Sequence, residues 1–116
     1  MIEDKQLALI ETLINNGETF VLNLTAAWCS DCTDQGENLP LLCDALAMPC
    51  YSMVVQQEKN IYLSAQHQAF TEQLGGHGFP RTILVVKGKV VDADNVEVIS
   101  ASQLTALAEQ FKRQLA

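Results

Sequence analysis

Trp28-Cys29-Ser30-Asp31-Cys32 is the stretch on which the reading of this chain turns. Two cysteines separated by two residues can face each other across the first turn of a helix and close a small, reversible disulfide. The same spacing is also half of a four-ligand zinc site. The pentapeptide alone leaves both open, so its surroundings decide.

Upstream, Thr19 to Thr25 is a short, mostly apolar run with β-branched and aromatic residues, which predicts a buried strand. The cysteine pair therefore falls at a strand-to-helix junction. Downstream, Ser30 to Leu46 is helical in composition but contains Gly36 and Pro40. A proline inside a helix removes a hydrogen bond, so a bent or broken helix is expected there, stopped by Met48-Pro49.

Further out, residues 4–16 place Leu7, Ile10 and Ile14 at helical spacing, widened by Leu9 and Leu13 and ended by Asn15-Asn16-Gly17. Tyr51 to Val55 reads as a strand, and the polar stretch Gln56 to Asn60 leads to a helix around Ser64 to Leu74 closed by Gly75-Gly76. Thr82 to Val86 and Lys89 to Asp92 make a hairpin about Lys87-Gly88. Ser100 with Gln103 forms a capping box, and Leu104, Leu107, Ala108, Phe111 and Leu115 mark an amphipathic last helix. The order α-β-α-β-α-β-β-α predicts an α/β fold with a mixed sheet covered by helices on both faces.

Bulk properties narrow the function. The 116 residues suit one domain, 1–116, and almost half are hydrophobic. A net charge of −7 argues against a nucleic-acid or anionic-membrane partner. No apolar run approaches the roughly 20 residues of a membrane span. The acidic start Met1-Ile2-Glu3-Asp4-Lys5 is unlike a signal peptide, so a cytoplasmic protein is expected, unless an export signal has been removed.

This order, with Trp-Cys-x-x-Cys at the end of a strand, resembles the thioredoxin superfamily. Gly78-Phe79-Pro80 before the hairpin matches that family's Gly–apolar–Pro loop, Lys87-Gly88 its hairpin turn, and Gln103-Leu104 the opening of its last helix. The resemblance runs from Thr19 to the C-terminus. It implies a three-layer fold, here with a four-stranded sheet because the family's first strand has no counterpart. It also implies a cis Pro80 facing Cys29, and thiol–disulfide exchange without a bound cofactor. Partners would be a disulfide-bearing protein or small molecule, and a thiol reductase or thiol pool.

By the same resemblance Cys29 is the attacking cysteine and Cys32 the resolving one, more buried, one helical turn on. Trp28, Ser30, Asp31, Phe79, Pro80, Arg81 and Asn23 would shape the groove or tune the couple. Trp28 reads equally as an apolar wall or as core. A carboxylate at Asp31 disfavours the Cys29 thiolate, which the helix N-terminus favours; a first-turn acid needs no further role.

The chain departs from the family at four places. Ser30-Asp31 replaces Gly-Pro between the cysteines, and Asn23 replaces a buried acid. Arg81 replaces a threonine after the proline, and Glu97 stands where a glycine is usual. Asn23 cannot take a proton, so water or another group, with Asp34 a candidate, would have to. Arg81 would hold a substrate carboxylate or pair with Asp31. His67 and His77 read as surface residues.

Cys43 and Cys50 complete a C-x2-C-x10-C-x6-C pattern that lacks the second close pair favoured by structural zinc sites. They read chiefly as buried thiols, with a second disulfide as the alternative. Two rivals to the exchange reading remain: a non-catalytic binding module and a cysteine metal site.

Overall fold

A computed structural model describes residues 2–76 and 78–116. In chain order the elements are β1 (Glu3–Asp4), α1 (Leu7–Asn15), β2 (Phe20–Ala26), α2 (Ser30–Leu46) and β3 (Cys50–Glu58). They continue as β4 (Ile61–Tyr62), α3 (Ala65–Gln73), β5 (Arg81–Val86), β6 (Lys89–Val96) and α4 (Ala101–Leu115). The sheet runs β1-β3-β2-β5-β6, with β4 paired to the far end of β3. β2 lies parallel to β3 and antiparallel to β5, so the sheet is mixed.

The strand alternation of β2 explains the layers. Phe20, Leu22 and Leu24 enter one core with Leu7 and Ile10 of α1, Met53, Val55, Ile83 and Val85. Val21 enters the other, with Leu39 and Leu42 of α2, Leu84, and Leu104, Leu107 and Phe111 of α4. Each fully buried Leu, Ile or Phe contributes about 1.5–3 kcal/mol. α2 and α4 therefore cover one face of the sheet and α1 the other.

Several expectations change. The sheet has six strands among the described residues rather than four, and a first strand is present. Glu3 and Asp4 pair with Tyr51 and Ser52, a two-residue strand of acids that carries no apolar pattern to read. The helix after it consequently starts at Leu7.

β3 also runs on past Val55 through Glu58, so the polar stretch Gln56–Asn60 is the end of that strand and a turn. Asn60 takes the left-handed conformation (φ 66°), and β4 folds back on β3. β6 likewise continues to Val96.

α2 is one continuous helix despite Pro40. The carbonyl that Pro40 leaves without an i+4 donor belongs to Gly36, which is exposed, so water can replace the missing bond. The β5–β6 turn has φ > 0 at both Lys87 (51°) and Gly88 (77°), the geometry that matches the twist of a two-residue hairpin.

Candidate functional site

The site begins where β2 ends. Ala26 is the last strand residue, the Cys29 N–H donates to its carbonyl (3.1 Å), and α2 starts at Ser30. Cys29 is the N-cap of α2: its Sγ accepts from the Cys32 N–H at 3.1 Å. Cys29 and Cys32 are joined as a disulfide, with their Cα atoms 5.3 Å apart.

Cys29 is 7 % exposed and Cys32 half-buried, the reverse of the expected order. Trp28 and Phe79 account for it: their rings meet edge-on beside Cys29, centroids 6.2 Å apart. Cys29 nevertheless lines a depression of about 300 Å³ with Trp28, Ser30, Asp31, Phe79 and Glu97. Cys32 does not border it. A larger groove of about 680 Å³ shares Trp28 and Phe79 with it and is walled also by Tyr62 and the Gly75–Gly76 segment.

Trp28 is 41 % exposed, so it is a wall rather than core. Its Nε1–H donates to Gln56 Oε1 at 3.0 Å, and the same oxygen accepts the Asn60 N–H at 3.1 Å. Lys59 Nζ lies 5.9 Å from the indole centroid and borders both depressions. The β3–β4 hairpin thus holds the tryptophan in place.

The Phe79–Pro80 peptide is cis. Pro80 is buried, and its carbonyl accepts the Glu97 N–H at 2.9 Å. Glu97 has φ 58°, a conformation in which a side chain is uncommon, and its exposed residue reaches the Cys29 depression.

Arg81 is not in the groove. It is 4 % exposed, and its guanidinium donates to the Leu74 carbonyl (2.8 Å) and the Ala93 carbonyl (3.4 Å). Register explains this: Arg81 opposes Leu24, whose side chain is fully buried on the α1 face, so the arginine is drawn inward. Gly75 passes over it so closely that a Cβ there would collide with the guanidinium. Burial pushes the Arg81 pKa down, while Tyr62 and Asp94 act in the opposite direction.

Asn23 also lies away from the groove, 2 % exposed beneath α2. Its Nδ2 donates to Gln35 Oε1 (2.7 Å), and its Oδ1 accepts from Thr82 Oγ1 (2.9 Å). Gln35 and Thr82 were not singled out by the sequence reading. The available signal was helical: Cys32, Gln35, Leu39 and Leu42 form one stripe, and Gln35 is its polar member. Asp34 is exposed on the solvent side of α2. His67 is half-buried and its Nδ1 lies 2.7 Å from the hydroxyl of Ser64, the N-cap of α3. His77 lies outside the described residues.

Cys43 and Cys50 form a second disulfide, Cα atoms 6.1 Å apart, between the last turns of α2 and the first residue of β3. The two pairs sit at opposite ends of α2, and among the described residues no three cysteine, histidine or acidic side chains converge on a metal position. No described helix is long and apolar enough to cross a membrane.

No protein-family model matches the chain, and no curated protein matches it. Solved structures do. The oxidised thioredoxin of Plasmodium falciparum superposes with a TM-score of 0.66 at 15 % identity, covering 96 % of this chain and 98 % of that one. Trxlp of Edwardsiella tarda gives 0.65 at 21 % identity, covering 95 % and 97 %. The reduced thioredoxin pre-protein of Schistosoma mansoni gives 0.67 at 15 % identity, covering 95 % and 97 %. With the layer order, the helix-capping Cys29–Cys32 pair and the Phe79–Pro80 loop, these matches establish that the chain has the thioredoxin fold.

Proposed function

We propose that the protein is a thiol–disulfide oxidoreductase working through Cys29 and Cys32. The observation that carries this reading is the Cys29 Sγ: it accepts the Cys32 N–H at the start of α2 and lines an open depression beside Trp28 and Phe79. In the dithiol form the same N–H and the helix N-terminus favour a thiolate at Cys29.

The Cys29 thiolate attacks one sulfur of a substrate disulfide, and the other sulfur leaves as a thiolate that takes a proton from solvent. The Cys32 thiolate then attacks the Cys29 sulfur and expels the second substrate thiolate. Two electrons pass to the substrate, and the Cys29–Cys32 disulfide remains. A thiol pool or dithiol reductase restores the dithiol, and no bound cofactor takes part. The substrate is a disulfide-bearing protein or small molecule whose flanks lie along the groove beside Trp28.

A redox titration in glutathione buffers tests this, following Trp28 fluorescence and alkylation of Cys29. A reversible two-electron transition lost in Cys32→Ser, and a mixed disulfide that accumulates on Cys29 in that variant, are expected. Full disulfide-reducing activity in Cys29→Ser would overturn the reading.

A further inference from the structure

Beneath the redox turn, three side chains from three elements close a ring. Asn23 of β2 donates to Gln35 of α2 (2.7 Å), Gln35 Nε2 donates to Thr82 Oγ1 of β5 (3.2 Å), and Thr82 donates back to Asn23 Oδ1 (2.9 Å). Asn23 is 2 % exposed, and Gln35 and Thr82 are fully buried.

The direction of the ring follows from one backbone atom. Gln35 Nε2 also lies 2.9 Å from the Val98 carbonyl, which can only accept. The Gln35 amide nitrogen must therefore face Val98 and Thr82, and its oxygen must face Asn23. That oxygen needs a donor, so the Asn23 amide nitrogen faces it and the Asn23 oxygen faces Thr82. The hydroxyl then has one role left, to donate to Asn23 and accept from Gln35. A single backbone carbonyl orients all three side chains.

The ring sits where it can align the two halves of the site. Gln35 is one turn beyond Cys32 on the buried stripe of α2. Its second hydrogen bond reaches Val98, and Asn38, almost a turn further on, donates to the neighbouring Ile99 carbonyl at 3.1 Å. The residue before Val98 is Glu97, whose N–H holds the Pro80 carbonyl at 2.9 Å. The cysteine turn and the Phe79–Pro80 wall are thus tied through Gln35 and the segment 97–99. An apolar side chain would fill position 35 without desolvating an amide, but it would not specify this alignment.

We propose that Gln35 is a positioning residue for disulfide exchange: held in register by Asn23 and Thr82, it sets the Cys29–Cys32 turn against the Phe79–Pro80 wall. The proposal rests on the oxidoreductase reading above. It further makes the support under the couple an amide–amide–hydroxyl set, none of which gains or loses a proton during exchange.

The test compares the wild type with the triple variant Asn23→Leu/Gln35→Leu/Thr82→Val, which replaces the ring by apolar groups of similar size, so that all three ring bonds go together and only the part-buried Val98 carbonyl loses a donor. The rate of exchange with 2-hydroxyethyl disulfide and the exchange equilibrium with glutathione are measured well below each protein's unfolding midpoint. A folded triple variant at least tenfold slower than wild type, with a shifted equilibrium, is expected. A folded triple variant within twofold of wild type in both would overturn the proposal and leave the oxidoreductase reading intact. A wild type that exchanges with neither probe would overturn that reading, and the proposal with it.

Should the triple variant not fold, Thr82→Ser, which keeps the hydroxyl, and Thr82→Val, which keeps the shape, decide. Near wild-type exchange with Ser and slowed exchange with Val support the ring; equal rates in the two overturn it.

Discussion

Trp28 Nε1 and Gln56 Oε1 are joined by a 3.0 Å hydrogen bond that ties the start of the Cys29–Cys32 turn to the end of β3. Gln56 is 3 % exposed, and its one oxygen serves both the indole and the Asn60 backbone. Gln56→Leu removes that acceptor from two partly exposed donors, and a loss of about 1 kcal/mol is expected in urea unfolding. Trp28 is the chain's single tryptophan, so its emission in the folded state reports the same change directly. Unchanged emission in a folded Gln56→Leu protein would show that the hairpin does not hold the indole.

Cys43 and Cys50 close a loop with a sequence separation of 7 at the end of α2 remote from Cys29. Chain entropy gives such a short crosslink about 2–3 kcal/mol. Cys43→Ser/Cys50→Ser is expected to unfold at lower denaturant by that amount under non-reducing conditions, with exchange at Cys29 kept within twofold. Alkylation of the unfolded, unreduced wild type should find no free thiol, and reduction should release four, the cysteine count of the chain.

Glu97 holds φ 58°, where a Cβ crowds the following carbonyl oxygen. Glu97→Gly removes that cost while keeping the N–H that binds Pro80. A gain of about 1 kcal/mol is expected in thermal or urea unfolding, offset in part by the added freedom of the unfolded chain. A loss of stability would place the Glu97 side chain among the stabilising contacts instead.

Asn23→Asp puts a carboxyl into the ring. Only its protonated form can donate to Gln35, and burial also disfavours the anion, so the folded pKa rises above the unfolded value of about 3.9. With the folded pKa raised, the folded state binds more protons, and stability falls as pH rises from about 4 through the folded pKa. Each unit of upward shift costs about 1.4 kcal/mol at neutral pH. Urea unfolding at pH 4 and pH 7.5 measures this directly. The expected result is a deficit relative to wild type that is much larger at pH 7.5; an equal deficit at both would show that the carboxyl ionises freely in the fold.

Apolar spacing made most of the fold legible. The capping box of Ser100 and Gln103, the hairpin at Lys87-Gly88, the helix of Leu104 to Phe111 and the strand before Trp28 all follow local rules that act within a few residues. The elements that escaped are those whose stability is not local. Glu3–Asp4 is a strand only because Tyr51 and Ser52 offer it a free edge, and Ile61–Tyr62 only because β3 extends beneath it.

The candidate site divides in the same way. Cys29 and Cys32 are named by their spacing, and Phe79-Pro80 by composition, because two thiols three positions apart meet on any helix turn. Arg81 reads as a groove cation because it follows Pro80, yet it points into the protein because strand alternation and the register with Leu24 turn it there.

Sequence alone therefore determined the Cys29–Cys32 pair, the order of the longer strands and helices and the α/β class, all set by contacts between near neighbours. Tertiary structure alone decided that Cys43 pairs with Cys50, that Gln56 holds Trp28, and that Asn23, Gln35 and Thr82 form one ring. Those pairings join residues separated by up to 59 positions, and a buried polar group takes as its partner whichever complementary group the packed sheet brings within reach.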